Sequence, residues 1–192
     1  KSAADWANYQ IALSKLKPTG RVIATTSVGG LNRASDIKIR EGIINDDLVE
    51  AIIMLPSSMY VNTAIPTAII VFNKRKAESI KNKVIMIDAS EHFVRKNRRQ
   101  NSLTQETINR IIDVVQNGME EKQFSTIVDL ETLRKNEYNL NASYYLNAKL
   151  IEQRLGKSII LKEIAEILPG VQVSANDLEL LKNGQVIFKH QD

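Results

Sequence analysis

The most concentrated chemical signal in the sequence is a basic stretch between residues 74 and 99. It holds nine lysines and arginines against three acidic residues, a local charge of +6, whereas the whole 192-residue chain carries +4. Such cations can neutralise the phosphates of a nucleic-acid backbone. The alternative is a solvated sheet edge whose charges prevent aggregation. The candidate phosphate contacts are Arg95, Lys96, Arg98 and Arg99.

A second candidate is Tyr60, which lies in a loop bounded by Pro56 and Pro66. Loops at strand ends in α/β proteins commonly bind ligands, and an aromatic ring in such a loop can stack on a base. The other interpretation, which spacing alone favours, is a partly buried loop tyrosine.

Composition excludes several other kinds of site. The absence of cysteine rules out disulfides, a thiol nucleophile and a cysteine-ligated metal, and it fits a cytoplasmic location. His92 and His190 leave little material for a zinc site, and neither belongs to a hydrolase triad pattern. Gly29-Gly30 lacks the third glycine of a nucleotide fingerprint, which favours a simple turn. No apolar run is long enough to span a bilayer.

The elements that must position these residues alternate between helix and strand. Amphipathic spacing predicts helices over 3–16 and 37–44, and β-branched runs predict strands. The predicted strands are 21–26, which should be buried on both faces, 48–55, 65–72 and 83–88.

This order predicts an α/β protein with a partial, mostly parallel sheet. The loop between the second and third strands is too short for a crossover helix, so these strands should form an antiparallel hairpin at the sheet edge. After residue 90, we expect a helix over 103–115 with Thr104 as its N-cap and Gly118 at its end. The apolar face of this helix should consist of Ile108, Ile111, Ile112 and Val115. We also expect an extended segment over 124–130 and helices over 148–155 and 161–168. The sheet is therefore predicted to be followed by a mainly helical tail.

Two segments carry a resemblance to a known family. The first is ALSKLKPTGRVIATTS with VGGL and IKIREGIINDD, and the second is LVEAIIMLPSSMYVNTAIPTAIIVFNK with KVIMIDAS. Over residues 5–150 this order resembles the C-terminal half of the catalytic domain of type I restriction-modification methylases, where "LKPGG", a strand ending in "LP", "NT.IPT" and a strand ending in lysine follow one another. Residues 139–145 are similar to the family's "YNLN..RY" element, with Tyr144 in place of the arginine, and Asn101 lies where an asparagine is common.

The resemblance implies an S-adenosylmethionine-dependent methyltransferase with a Rossmann-like sheet, which modifies the N6 amino group of adenine in double-stranded DNA. In that family the adenine is flipped out of the duplex, because its amino group cannot be reached within the base stack. An Asn/Asp-Pro-Pro-aromatic motif holds the amino group, and an aromatic ring stacks on the base. Tyr60 is the candidate for that ring. The implied partners are DNA and the specificity and restriction subunits of a type I complex, with no membrane.

The sequence departs from the family in what it lacks. No two of its four prolines are adjacent, so the catalytic Pro-Pro motif is absent, and so is the acidic, glycine-rich cofactor loop. Because the chain opens inside a helical pattern, we expect both to belong upstream in a longer parent protein. The fragment alone is then expected to contain no catalytic, cofactor-binding or metal-binding residues, and neither to bind S-adenosylmethionine nor to methylate.

The predicted organisation has three parts. Residues 1–90 are the C-terminal half of the methyltransferase domain, 91–156 a basic segment and helical extension, and 157–192 a tail. Residues 161–170 are similar to the opening of target-recognition domains in type I specificity subunits, which would indicate a fused polypeptide; a C-terminal helix packed on the domain is the alternative. Two rival functions stay open: a non-catalytic module that binds DNA or docks subunits, and a Rossmann-like methyltransferase acting on RNA or protein.

Overall fold

The chain divides into two compact units. The computed structural model describes residues 5–61, 63–155, 178–180 and 186–188. Lys1–Gly156 form the first unit and Lys157–Asp192 the second. The predicted helix over 161–168 and the segment that is similar to target-recognition domains lie outside the described residues.

The first unit contains five α-helices and seven strands among its described residues. Its helices are α1 (Asp5–Lys15), α2 (Ile37–Asn45), α3 (Gln105–Asn117), α4 (Leu130–Lys135) and α5 (Ala142–Leu155). Its strands are β1 (Arg21–Ser27), β2 (Val49–Met54), β3 (Thr67–Asn73), β4 (Lys83–Asp88), β5 (Val94–Asn97), β6 (Gln100–Ser102) and β7 (Ser125–Asp129).

Five of these strands form one mixed sheet in the order β1-β3-β2-β4-β7. Strands β1, β2 and β4 are parallel to one another, and β3 and β7 run antiparallel to them. Of the four pairs of neighbouring strands only β2 and β4 pair in parallel, so this sheet is mixed and not mostly parallel as predicted. The predicted antiparallel pairing of β2 and β3 is confirmed. The predicted position of this pair at the sheet edge is wrong, because β3 inserts between β2 and β1.

The edge strand on this side of the sheet is instead β1, and the prediction that it is buried on both faces is wrong. Every second residue from Arg21 to Thr25 is exposed, and Ile23 is 71% exposed. A run of β-branched residues has the same sequence pattern in an edge strand and in a central strand, because exposure depends on which elements pack beside the strand.

An apolar cluster lies on each face of the sheet. On one face, α1 contributes Trp6 and Tyr9, whose rings pack against Phe72 of β3. On the other, Val114 of α3 and Phe124 join the side chains of β2 and β4. Helices on both faces are the usual solution for a sheet with buried parallel strands.

Helix α3 begins and ends as its sequence predicts. The Thr104 hydroxyl accepts a hydrogen bond from Thr107 N at 3.1 Å, and Gly118 ends the helix in the left-handed conformation. Its buried face differs from the predicted one, since Val114 is fully buried whereas Ile108 and Ile112 stay exposed.

The region after β4 is mixed in structure. Strand β7 completes the main sheet, and β5 pairs with β6 in a separate hairpin. In the second unit, β8 (Leu178–Leu180) pairs antiparallel with β9 (Val186–Phe188). The predicted, mainly helical tail is therefore not confirmed.

Within the described ranges, no helix is long and apolar enough to cross a membrane.

A carboxylate protects the outer edge of the sheet at β7. Glu120 accepts hydrogen bonds from Lys149 Nζ at 2.8 Å, Ile127 N at 2.9 Å and Thr126 Oγ1 at 2.8 Å. Burial alone would raise the pKa of Glu120, but these three hydrogen bonds outweigh it and lower the pKa to about 2. The interaction also ties β7 to α5.

We expect Glu120→Gln to lower the melting temperature at pH 7, because the variant loses the charged acceptor. A carboxyl whose folded-state pKa is depressed stabilises the protein above its unfolded-state pKa of about 4.5, and this stabilisation is lost as the pH falls towards 2. Melts of variant and wild type should therefore converge between about pH 4.5 and pH 2.

The matched control is Glu131→Gln, which breaks an exposed pair with Lys135 and should change the melting temperature little. If the difference in melting temperature between Glu120→Gln and wild type stayed constant from pH 7 to pH 2, the lowered pKa of Glu120 would be contradicted.

Candidate nucleic-acid interface

The parallel strands end at one edge of the sheet, and the segments that follow them meet there. Strand β1 leads into the turn Val28–Leu31, β2 into a loop at residues 55–66, and β4 into Ala89. Ala89 N donates to Met54 O at 3.1 Å, joining two of these strand ends. Ligands of open α/β sheets bind at this carboxyl edge, so a functional site is expected here.

The loop at residues 55–66, called the Tyr60 loop below, presents apolar side chains to solvent. Tyr60 is 45% exposed, Val61 is 72% exposed, and Ile65 is also exposed. Thr63 N donates to Tyr60 O at 3.4 Å, and the Thr63 hydroxyl accepts from Ile65 N at 3.1 Å. The ring therefore lies at the surface, where it is accessible for stacking.

The β5–β6 hairpin, called the basic hairpin below, carries the predicted phosphate contacts. No acidic residue lies between residues 94 and 102. Arg99 N donates to the Asn97 side chain at 3.0 Å, which closes the turn. The exposed cations of this hairpin are Arg95, Lys96, Arg98 and Arg99.

Three hydrogen bonds join the basic hairpin to the Tyr60 loop. Asn101 donates its side-chain amide to Ser57 O at 2.9 Å and its backbone N–H to Ser58 O at 2.9 Å. The Gln100 amide donates to Met59 O at 3.1 Å. The structure thus brings together the two candidate sites that the sequence predicts separately. Gln100 was missed, because a bond to a residue 41 positions away leaves no local signal.

The other cations of the basic stretch lie at the opposite edge. Strand β3 ends at Asn73 and β4 begins at Lys83, so the residues between them lie at the amino end of β4. The Lys76 side chain is buried there and donates to Asp47 and to Val49 O. Burial lowers the pKa of Lys76, and the bond to Asp47 opposes that shift. The basic stretch is therefore two separate groups.

In the turn after β1, Gly30 packs closely against its neighbours. Trp6 Nε1 donates to Gly30 O at 2.7 Å, and a Cβ at Gly30 would clash with Thr26 Oγ1. Gly30 therefore leaves no room for a cofactor such as S-adenosylmethionine, whereas Gly29 is exposed. The interpretation as a simple turn stays a prediction. Among the described residues, no cluster of metal-ligating side chains occurs.

The segment before α5 is fastened to this edge by a buried arginine. Arg40 of α2 is 1% exposed and donates to Tyr138 O at 2.7 Å and Arg33 O at 3.0 Å. Glu137 and Tyr138 both have left-handed backbone conformations. Leu140 N then donates to Leu31 O at 3.1 Å. The only sequence signal for this anchor is a charged residue inside an apolar helix pattern.

The asparagines of residues 139–145 have local structural roles. Asn141 caps α5 by accepting from Ser143 N at 3.1 Å, and Ser143 Oγ donates to Asp88 at the end of β4. The Tyr145 hydroxyl donates to Asn139 O at 2.7 Å, and burial raises the pKa of Tyr145. Tyr144, which stands where the family has arginine, remains exposed.

A mixed sheet with an aromatic loop and a basic hairpin at its carboxyl edge is compatible with a protein that binds nucleic acid. The family model described as N-6 DNA Methylase matches residues 1–154. The chain belongs to this family.

Two relatives with similar sequences carry matching names. The chain is 40% identical over 149 residues to the type I restriction enzyme MjaVII methylase subunit of Methanocaldococcus jannaschii, which covers 76% of the chain and 26% of the relative. It is 30% identical over 168 residues to the type I restriction enzyme MpnII methylase subunit of Mycoplasma pneumoniae. This match covers 87% of the chain and 30% of the relative. The chain thus spans about a quarter to a third of these relatives.

Solved structures show the same fold. A type I restriction-modification methyltransferase subunit from Streptococcus thermophilus matches with a TM-score of 0.68 at 29% identity, covering 74% of this chain and 30% of that one. A modification subunit of a putative type I restriction enzyme from Vibrio vulnificus matches at 11% identity with a TM-score of 0.52, which shows likeness of fold alone.

We expect Arg40→Leu to reduce the free energy of unfolding by about 3 kcal/mol, because it leaves buried carbonyls of two loops without a donor. Chemical denaturation measures this loss. Lys38→Ala, at an exposed position of the same helix, should stay within about 0.5 kcal/mol of wild type. Equal effects of the two variants would show that Arg40 is not an anchor.

Proposed function

We propose that the chain is the DNA-contacting part of an adenine-N6 DNA methyltransferase of a type I restriction-modification system. In this proposal the Tyr60 ring stacks on the flipped adenine, and the basic hairpin binds the DNA backbone. The observation that carries it is the set of three hydrogen bonds joining loop and hairpin. Membership of the N-6 DNA methylase family and the names of the relatives support it.

The Tyr60 loop and the basic hairpin meet two physical requirements of base flipping. Extruding a base costs unpairing and unstacking energy, which stacking on an aromatic ring offsets in part. The duplex must also be held in register while the base is out, and phosphate contacts fix register without reading sequence. A basic hairpin adjoining an exposed tyrosine loop supplies both contacts from one surface.

We further propose that the rest of the catalytic domain belongs to a longer parent protein. The chain spans 26 and 30% of two relatives, and it contains no adjacent prolines. Among the described strands β1 pairs only with β3, and the exposed Ile23 lies on it. Nearby, Glu50 Oε2 is buried without a described hydrogen-bond partner. These features suit an edge that further secondary structure covers.

In this proposal S-adenosylmethionine supplies the methyl group and is bound by the parent's other residues. The role of this chain is to bind and orient the DNA at the Tyr60 loop and the basic hairpin. The proposed setting is a cytoplasmic complex with specificity and restriction subunits, in keeping with the names of the relatives.

In the full-length methylase, replacing Arg95, Lys96, Arg98 and Arg99 together by alanine should weaken DNA binding and flatten its salt dependence. Each neutralised phosphate contributes about 0.9 to the slope of log K against log salt, so the slope should fall by up to about 3.6. Fluorescence anisotropy titrations at several salt concentrations measure both quantities.

The matched control removes the same charge from the opposite edge. Lys74, Arg75, Lys81 and Lys83 are exposed there, and their fourfold replacement by alanine should leave the slope unchanged. Equal slopes for the two fourfold variants would refute a specific role for the hairpin and restore the interpretation of a solvated edge.

Tyr60→Ala in the full-length methylase should lower the rate of adenine methylation about 5- to 100-fold, the range expected for one lost base–aromatic stack. Tyr60→Phe keeps the ring and should retain most of the activity. Incorporation of labelled methyl groups into unmethylated duplex DNA measures the rate. Label in RNA or protein instead of adenine would overturn the assignment, and absence of transfer would favour a non-catalytic DNA-binding or docking module.

A further inference from the structure

We propose that Asn101 and Gln100 are positioning residues that hold the Tyr60 ring in place for the target base. The inference rests on the proposed function, because it assigns a role to the junction between the Tyr60 loop and the basic hairpin. Neither side chain is expected to touch DNA itself. Each acts through the backbone of the loop.

The junction has an unusual geometry. Its acceptors are the carbonyls of three consecutive residues, Ser57, Ser58 and Met59. In an extended strand successive carbonyls point to opposite sides, so one neighbour cannot bind three in a row. Ser58 breaks the alternation with a φ of 56°. Residues with side chains adopt this left-handed region uncommonly and are held there by surrounding contacts.

The donors are placed to impose that conformation. Asn101 is 8% exposed and uses both its side-chain amide and its backbone N–H. A buried amide that has lost its partner carries the full cost of desolvation, so the loop is held more strongly than exposed hydrogen bonds would hold it. Met59, the last acceptor, is the residue immediately before Tyr60.

The junction also couples the two DNA contacts. Arg98 and Arg99 immediately precede Gln100 in sequence, so a phosphate bound by the hairpin restrains the strand that donates to the loop. An ordered loop then loses less conformational freedom when the base arrives. Backbone binding and base stacking therefore occur on one connected unit rather than on two independent loops.

The first test uses the 192-residue chain and measures cleavage by chymotrypsin after Tyr60. A protease needs a locally opened backbone, so we expect Asn101→Leu and Gln100→Leu each to speed cleavage several-fold, and the double variant more. Ser102→Ala is the control, because its hydroxyl bonds to Leu103 O and not to the loop. Rates are compared at equal distance below each melting temperature. Cleavage of the double variant at the wild-type rate overturns the proposal.

The second test uses the full-length methylase and a duplex with 2-aminopurine at the target position. Asn101→Leu should lower kcat about tenfold and weaken the Tyr60-dependent fluorescence change, while KM for DNA and the salt slope stay within about twofold of wild type. General loss of structure would instead change the DNA affinity together with kcat. Ser102→Ala should behave as wild type.

The outcomes separate this inference from the proposed function. A fluorescence change that depends on Tyr60 but survives Asn101→Leu with unchanged kcat refutes the positioning role alone. A methylase in which Tyr60→Ala alters neither fluorescence nor rate refutes the base contact itself.

Discussion

Strand β3 runs antiparallel between β1 and β2, and its pairing with both neighbours determines where the rest of the unit lies. Met54 pairs with Ala68, and Leu55 N donates to Thr67 O at 2.9 Å. The loop between β2 and β3 must therefore leave the sheet at the carboxyl edge. A register slip of one residue would also turn Phe72 away from the aromatic cluster of α1, so burial keeps the pairing in place. The exposed Tyr60 loop thus depends on one of the most buried parts of the molecule.

The same arrangement of strands also places the cations of the basic stretch in two different environments. Strand β4 separates two groups of cations that are neighbours in sequence, one near its first residue and one beyond its last. At the first end, Lys76 is buried against Asp47 and contributes to packing. At the other end, the cations of the basic hairpin are exposed, and the hairpin itself contains no carboxylate. Exposed cations of one sign produce an attractive field for phosphates, whereas a buried ion pair does not.

Local patterns predicted the regular elements well, because they depend on periodicity and on caps. The strand at 83–88 and the Thr104 and Gly118 limits of α3 are examples. Exposure was harder to predict: Ile23 and Ile112 occur in patterns typical of buried residues, yet no described element covers them. The candidate residues Tyr60 and Arg95 could be chosen by type, but their proximity could not. It depends on Asn101 reaching Ser57, 44 positions earlier, and on β2, β3 and β4 holding both at one edge.

The acceptors in the junction are main-chain oxygens, and this has a consequence for how the site can change. Replacing the side chains of Ser57 or Met59 leaves the carbonyls that Asn101 and Gln100 bind, provided that the backbone keeps its path. The side chains that hold the loop in its conformation therefore belong to the basic hairpin and not to the loop itself. The exposed residues of the Tyr60 loop can therefore vary by mutation while the hydrogen bonds that hold its backbone stay the same.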